Sequence, residues 1–182
     1  MNNKILIIGA IIITVGLLVF GRWYSTGQTQ EAVSIGTQGQ ANVRGGTVSI
    51  ENPAPDFSLQ KLGGGTITLA EYRGKKPVVL DFWASWCPNC RRDMPKLSRF
   101  YEKYKDQVEV IGINLQENKR TIENYINSAG ISFPVALDPS GRVSRAFGIR
   151  YTNIHVLIDK EGNIVRTIPG DIRESDIISL IQ

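Results

Sequence analysis

The sequence predicts an α/β fold in which a mixed central sheet is flanked by helices. Two short, nearly continuous apolar runs, residues 77–83 and 108–115, are typical of strands that are covered on both faces. Two further apolar segments, 154–159 and 163–168, flank the turn "KEG" and predict an antiparallel hairpin. The stretches between these strands show helical periodicity, so strands and helices alternate along the chain.

The helices are indicated by apolar residues that recur at three- and four-residue spacing. Residues 88–105 carry one such stripe, and residues 121–129 carry a second, which Gly130 is placed to end. Shorter helices are predicted within 140–148 and at the C-terminal segment 174–182. No internal repeat is present, so these elements form one domain.

The N-terminal segment differs from everything that follows it. Residues 5–21 are uncharged and almost wholly apolar, and as a helix they span about 25 Å, a little less than a bilayer core. Trp23 and Tyr24 extend the run as an interfacial belt. The run is longer than the apolar region of a cleaved signal peptide, and no convincing cleavage site follows. Residues 1–24 are therefore predicted to be an uncleaved, single transmembrane helix with the N-terminus inside the cytoplasm.

The remaining chain divides into a linker and a domain. Residues 25–50 are rich in Gly, Gln, Thr and Ser and predict a flexible linker, part of which (47–50) is able to pair as an edge strand. Residues 51–182 form the predicted domain. The whole chain has 21 basic and 17 acidic residues, a net charge of +4, without a long run of one sign. This even balance argues against a nucleic-acid partner.

Both cysteines of the chain, Cys87 and Cys90, lie three positions apart at the start of a predicted helix. A structural disulfide is disfavoured because the ring encloses only two residues and would stabilise the fold little. A closed zinc site normally takes four Cys or His ligands, and His155 is the single histidine. Redox chemistry of a close dithiol is the favoured interpretation. The alternative is a Cu(I)-binding chaperone module, because two thiolates satisfy this soft ion.

The position of the two cysteines suits disulfide exchange. Cys87 follows a buried strand at the first helical turn, where free N–H groups and the helix dipole stabilise the attacking thiolate. Pro88 suits the first helical position, and Cys90, one turn on, is expected to be more buried. Asp81 is the single charged residue in an otherwise apolar strand. Burying a carboxyl there costs free energy unless the group has a functional role or is solvated by water. It is a candidate acceptor for the Cys90 proton, or else a strand aspartate bonded to backbone or water.

The segment "VVLDFWASWCPNCRRDMP" closely resembles the active-site segment of thioredoxin-like proteins, including the aspartate, W-C-x-x-C and the helix proline Pro95. Other features restrict the resemblance to one group of thioredoxin-like proteins. These are the segments "APDFSL" at 54–59 and "GTITLAEYRGKKPVVL" at 65–80, and the helical segment added after residue 115. They are similar to the TlpA/ResA group of membrane-tethered, extracytoplasmic thiol–disulfide oxidoreductases. The resemblance spans roughly 51–182 and implies a thioredoxin fold with an N-terminal extension and a helical insertion.

This resemblance implies roles for particular residues. Cys87 is the nucleophile, Cys90 the resolving thiol and Asp81 the buried proton acceptor, and the two cysteines form a redox-active disulfide. The expected substrate-binding residues are Trp86, Pro88, Thr152 and Asn153. No cofactor and no resident metal are expected. "APDFSL" also occurs in peroxiredoxin-type chains, but the W-C-x-x-C setting disfavours a peroxidase.

The resemblance also implies partners and a location. Members of the group commonly reduce disulfides in exported proteins, apocytochrome c among them, and receive electrons from a membrane thiol reductase. We therefore expect a protein anchored in the cytoplasmic membrane by one helix, with its catalytic domain outside the cytoplasm.

Two positions depart from the family pattern. The family usually has a cis-proline opposite the dithiol, in a motif such as P-T-T-F-L-I-D, whereas this chain has "NIHVLID" with Asn153 at the proline position. A cis bond before a residue other than proline costs roughly 3–4 kcal/mol, so the Thr152–Asn153 bond is expected to be trans. Thioredoxins proper place a lysine near the buried aspartate, where this chain has Gly112, so Asp81 is expected to lack that particular charge partner. His155 is expected to be a buried strand histidine bonded to a neighbour, the alternative being a metal ligand.

Overall fold

The computed structural model of the protein describes residues 40–43 and 48–182. The predicted membrane anchor, residues 1–24, lies outside the described residues, as does most of the predicted linker. No helix within the described ranges is long and apolar enough to cross a membrane. The boundaries of the anchor and of the linker therefore stay predictions.

The described part of the chain contains nine strands and four α-helices. The strands are β1 Gln40–Val43, β2 Val48–Glu51, β3 Ser58–Lys61, β4 Thr66–Thr68, β5 Val78–Trp83, β6 Glu109–Leu115, β7 Val135–Asp138, β8 Ile154–Ile158 and β9 Ile164–Pro169. The helices are α1 Pro88–Tyr104, α2 Lys119–Ala129, α3 Arg142–Ala146 and α4 Glu174–Ile181. The four helices predicted within residues 51–182 are present, and the strands predicted there correspond to β5, β6, β8 and β9.

Seven of the strands form one mixed sheet in the order β4-β3-β7-β6-β5-β8-β9. Strand β6 pairs in parallel with β5 and β7, while the pairs towards both edges are antiparallel. The predicted hairpin is confirmed, since β8 and β9 are antiparallel neighbours. The α/β class and the thioredoxin-like arrangement of a mixed sheet with flanking helices are likewise confirmed.

Strands β1 and β2 form a separate two-stranded antiparallel sheet. The segment 47–50, predicted to pair as an edge strand, does so as β2, but its partner is β1 within the segment predicted to be a linker. The valine and isoleucine residues of β2 favour extended backbone. Because few residues connect β1 and β2, pairing these two strands costs little chain entropy. The linker boundaries, 25–50, stay a prediction.

Both faces of the central strand β5 are covered, which explains its continuous apolar sequence. Val79 and Trp83 pack on one face with Met94 and Leu97 of α1, in the larger part of the core. The alternate residues of β5 pack on the opposite face, in a second cluster with the N-terminal extension. Because side chains alternate along a strand, Asp81 belongs to the same face as Val79 and Trp83. A carboxyl is thereby placed against α1.

The helix ends follow from their sequences. Asn118 caps α2, its side-chain oxygen accepting the Thr121 backbone N–H, and Gly130 ends this helix in the left-handed region at φ 64°. Pro88 is the first residue of α1, which contains Pro95 and ends at Tyr104. The ends predicted from Pro88 and Gly130 are therefore confirmed. The start of α1 is the part of the fold that holds the two cysteines.

Candidate active site

The two cysteines lie at the N-terminus of α1 and are joined as a disulfide, with their Cα atoms 5.3 Å apart. Cys87 is the N-cap residue, and its Sγ accepts the backbone N–H of Cys90 at 3.2 Å. Cys90 is the more buried of the two, 1% exposed against 5% for Cys87. These positions agree with those predicted from the sequence. A sulfur that already accepts a helix N–H is well placed to carry negative charge.

The surface next to Cys87 is formed by exposed residues. Trp86 directly precedes it and is 67% exposed, and Pro88 is exposed as well. A large aromatic ring held in water beside a reactive sulfur offers a contact for another polypeptide. The expected substrate-binding residues Trp86 and Pro88 are therefore both accessible.

Thr152 and Asn153 precede β8 at the same edge of the sheet. Ile154, the first residue of β8, pairs with Phe82, the residue before the last of β5, so the segment before β8 and the loop after β5 meet at this end of the sheet. The Asn153 N–H donates to the Phe82 carbonyl at 2.8 Å. The described residues contain no cis peptide bond, so the expected trans Thr152–Asn153 bond is confirmed.

Asn153 has an unusual conformation for its position. Its φ is 61°, in the left-handed region that asparagine enters more readily than most residues. Its side chain is buried, and neither amide atom has a hydrogen-bond partner among the residues described. Asn153 thus places an unpartnered amide where the family has a proline ring.

Asp81 lies in the middle of the sheet, paired in register with Gly112 on β6 and with His155 on β8. It is 1% exposed, and neither carboxylate oxygen has a hydrogen-bond partner within the described part of the chain. A backbone-bonded strand aspartate is therefore not what the structure shows. Asp81 is a buried carboxyl on the face that packs against α1.

Gly112 is opposite Asp81 on the next strand, as the sequence predicted, and the structure explains why no lysine occupies this position. A Cβ atom added at Gly112 would lie 3.0 Å from the Phe133 ring and 3.0 Å from Trp83 Nε1. The two aromatic side chains fill the space that a lysine stem would need. A charge partner for Asp81 cannot come from this strand.

The lysine is absent as expected, but a different partner for Asp81 comes from β8. His155 Nδ1 lies 3.5 Å from Asp81 Oδ1. On the other side of the ring, His155 Nε2 lies 3.0 Å from Oδ2 of Asp93, a residue of α1. His155 is thus a buried strand histidine bonded to a neighbour, as expected. We call these three residues, Asp81, His155 and Asp93, the buried acid–histidine cluster.

Asp93 was not identified from the sequence. It is buried, and its Oδ2 also accepts the backbone N–H of Ile172 at 3.2 Å. A signal was available: Asp93 is four residues before Leu97 and so interrupts the apolar stripe of α1 with a carboxylate. An acid on the buried face of a helix indicates a partner from another element.

The cluster shifts the proton affinities of its members. Burial raises the pKa of Asp81 to about 6, with His155 lowering it and Asp93 raising it further. Burial alone would lower the pKa of His155, but the hydrogen bond to Asp93 and the charges of both carboxylates raise it above its usual value. The environment therefore favours a protonated imidazole between the two carboxyl groups.

Glu117 is a second residue that the sequence did not reveal. Its carboxylate accepts the backbone N–H of Ser85 at 2.7 Å and also the Ser85 hydroxyl. Asn114 Nδ2 donates to the same carboxylate at 2.7 Å. Since Ser85 lies in the loop between β5 and the dithiol, Glu117 fixes the approach to Cys87.

The alternative role of His155, a metal ligand beside the dithiol, is not what the structure shows. Both ring nitrogens of His155 face carboxylates, so the imidazole is not directed at the sulfurs. Nor does the described part of the chain contain a group of three or more Cys, His, Asp or Glu arranged to hold a metal ion.

A dithiol at the start of a helix, set after the central strand of a mixed sheet, defines a thiol–disulfide oxidoreductase of the thioredoxin-like class. The comparisons with known proteins agree with this class. The chain belongs to the AhpC/TSA family, whose model matches residues 50–167. The enzyme class and the resemblance to the TlpA/ResA group are thereby confirmed.

Three relatives show how close the similarity is. Thiol-disulfide oxidoreductase ResA of Geobacillus thermodenitrificans is 37% identical over 131 residues, which cover 71% of this chain and 75% of that protein. ResA of Bacillus subtilis is 34% identical over 140 residues, covering 75% and 78%. A crystal structure of a thiol:disulfide interchange protein of the thioredoxin family from Chlorobium tepidum matches with a TM-score of 0.66 and 26% identity. That match covers 74% of this chain and 97% of the other.

Proposed function

We propose that Cys87 and Cys90 are the redox pair of this oxidoreductase and that it reduces disulfides in exported proteins. The observation that carries the proposal is the placement of the dithiol. Cys87 caps α1 directly after the exposed Trp86 in the chain, while Cys90 is buried one turn further on. One sulfur is thus positioned to meet a substrate and the other to complete the reaction from inside.

The first step is attack by the Cys87 thiolate on a substrate disulfide. A bond forms between Cys87 Sγ and one substrate sulfur, and the substrate S–S bond breaks, its electron pair leaving with the second sulfur. The N-terminal N–H groups of α1 stabilise the thiolate, the Cys90 N–H among them. Trp86, Pro88, Thr152 and Asn153 are proposed to hold the substrate segment beside this sulfur.

The second step closes the disulfide found in the structure. Cys90 gives its proton to Asp81 and attacks Cys87 Sγ, and the bond from Cys87 to the substrate breaks. The substrate leaves as a second thiolate, which takes a proton from water, and the dithiol has lost two electrons. A membrane thiol reductase is the proposed donor that restores the reduced form.

The proposed location rests on the apolar run at 5–21 with its aromatic extension. As a membrane helix with its N-terminus inside, this segment places the catalytic domain outside the cytoplasm, where exported proteins such as apocytochrome c are the substrates. Intact-mass measurement of the chain extracted from membranes tests the anchor. A mature chain that starts near Gln28 contradicts it.

The matched variants Cys87→Ser and Cys90→Ser test the roles of the two thiols, because each removes one sulfur and abolishes the disulfide. We expect Cys90→Ser to accumulate mixed disulfides with a disulfide substrate, since resolution is lost, and Cys87→Ser to accumulate none. Non-reducing gel electrophoresis and mass spectrometry measure the adducts. If Cys87→Ser reduced a model disulfide at a near-native rate, the assignment of Cys87 as the nucleophile would be wrong.

A further inference from the structure

Three ionisable side chains from three different elements meet in the core beside the dithiol. Asp81 comes from β5, Asp93 from α1 and His155 from β8, and each is 1% exposed. Burying ionisable groups is costly unless they are paired or used. A neutral strand residue at position 155 would avoid that cost, which indicates that the histidine has a function.

The cluster adjoins Cys90, the buried sulfur. Cys90 packs in the part of the core that contains Val79 and Trp83, the β5 residues on either side of Asp81 on the same face. Asp93 is three residues after Cys90 on α1, so it lies on the same side of that helix. The cluster therefore occupies the interface between β5 and α1, in the same part of the core as Cys90.

Asp93 holds one nitrogen of the His155 imidazole, and the other nitrogen faces Asp81. Asp93 Oδ2 is fixed by the Ile172 N–H at 3.2 Å and lies 3.0 Å from His155 Nε2. His155 Nδ1 then lies 3.5 Å from Asp81 Oδ1, while Asp81 has no hydrogen-bond partner among the described residues. The ring is the ionic partner of Asp81, and Asp93 determines where the ring lies.

We propose that His155 is a positioning residue for disulfide exchange: anchored by Asp93, its protonated ring keeps the buried Asp81 ionised and so able to accept the Cys90 proton. The inference rests on the proposed roles of Cys90 and Asp81. Burial by itself favours the neutral acid, and an acid that already holds its proton accepts none. With the imidazolium beside it, Asp81 remains a base although it is only 1% exposed.

The proton and electron balance is complete without another reactant. Before resolution, the cluster consists of two carboxylates and one imidazolium. The Cys90 proton moves to Asp81, and the Cys90 thiolate attacks Cys87 Sγ and releases the substrate thiolate. When the disulfide is reduced again by an incoming thiol, Asp81 returns the proton to Cys90. His155 keeps its proton throughout, which is why it positions the reaction and does not carry the transferred proton.

Few other titratable or charged groups face the cluster. Lys96 Nζ lies 4.0 Å from Asp93 Oδ1 and is partly exposed. Tyr125 of α2 packs against Trp83 in the same part of the core, and burial raises the pKa of its phenol, with Arg91 opposing and Asp81 adding to the shift. Arg92 of α1, an exposed residue, also interacts electrostatically with Asp93, and Cys90 completes the set among the described residues. A pH dependence between pH 5 and 8 is therefore expected to come from the cluster and the dithiol.

The test separates attack from resolution in the reduced full-length protein. Mixing with an excess of an aromatic disulfide such as 5,5′-dithiobis(2-nitrobenzoate) releases one coloured thiolate when Cys87 attacks and a second when Cys90 resolves. The two phases are followed by stopped flow from pH 5 to 9 in the parent and in His155→Gln and His155→Thr. Thr is the residue at this position in the related P-T-T-F-L-I-D motif. Cys90→Ser identifies the second phase, because only attack remains.

We expect the midpoint of the second phase to move up by about one pH unit or more in both variants. Resolution is then about fivefold slower at pH 6 and close to the parent at pH 9, while the first phase is unchanged. If the parent shows no second phase that Cys90→Ser lacks, the proposed function fails. If that phase is present but its midpoint stays the same in the variants, the role of His155 is refuted and the function stands.

A second measurement does not depend on turnover. The Asp81 carboxyl resonance is titrated by ¹³C NMR in the oxidised full-length protein, with Asp93→Asn as a variant that keeps the ring but removes its anchor. The titration midpoint of Asp81 is expected to rise in the His155 variants and, to a smaller extent, in Asp93→Asn. An unchanged midpoint in all three overturns the inference.

Discussion

Replacing Asp81 by asparagine is expected to stabilise the oxidised protein near neutral pH. Asparagine has nearly the shape of the neutral acid, so the change removes the charge and leaves the packing. Burial raises the pKa of Asp81 from 3.8 to about 6. A difference of about two pKa units corresponds to about 3 kcal/mol of unfavourable ionisation in the folded state. Asp81 is fully buried, so little of this cost is relieved by solvent.

The sign of the pH dependence follows from the raised pKa. Well below pH 3.8 the carboxyl is protonated in the folded and unfolded states, and the parent and Asp81→Asn have equal stability. As the pH rises from about 4 to 6, the unfolded chain loses its proton first and the parent loses stability. Above pH 7 the variant is therefore expected to be more stable by about 3 kcal/mol.

Equilibrium unfolding in urea from pH 4 to 8 measures this difference, with both proteins kept oxidised. Asp106→Asn is the matched control, because the Asp106 side chain is exposed to water and should give no comparable pH-dependent gain. A variant that is equally or less stable than the parent at pH 7 would show that the cluster compensates the buried charge. The reasoning on the cost of Asp81 would then be refuted.

Two further changes test the packing and the loop around the site. Gly112→Ala should destabilise the oxidised protein by about 1–3 kcal/mol, because the new methyl group meets Phe133 and Trp83 at 3.0 Å; an unchanged thermal midpoint contradicts this. Glu117→Ala should cost about 1–3 kcal/mol in urea unfolding and slow attack by Cys87, because the Ser85 N–H loses its acceptor. Glu117→Gln keeps one acceptor oxygen and should show a smaller effect; equal losses in both variants would point to the charge instead.

The strands and helices that the sequence predicted are those whose hydrophobic pattern can be read from neighbouring residues alone. Strands β5 and β6 are continuous apolar runs because both of their faces are covered, and α1 and α2 carry clear apolar stripes. Cys87 at a helix start follows from Pro88 and the strand before it. Strand β7 was missed because it has four residues, too few to establish a period.

The cluster was missed because it depends on tertiary register. Asp93 and His155 are 62 residues apart and meet only when β8 pairs with β5 and α1 packs over both strands. Neither residue carries a local signal of its partner. The sequence identified Asp81 and showed that Gly112 stands where thioredoxins have a lysine. The charge that compensates Asp81 comes instead from β8, the strand on the other side of β5.

The capping of α1 by Cys87 links redox state to folding. The same sulfur that caps the helix is part of a disulfide in one redox state and a thiolate in the other, and only the thiolate carries a full charge towards the helix N-terminus. By a thermodynamic cycle, whatever α1 gains from that charge appears equally as added stability of the reduced protein and as a higher reduction potential of the pair. Substitutions in the first turn of α1 therefore provide a way to adjust the potential without altering either cysteine.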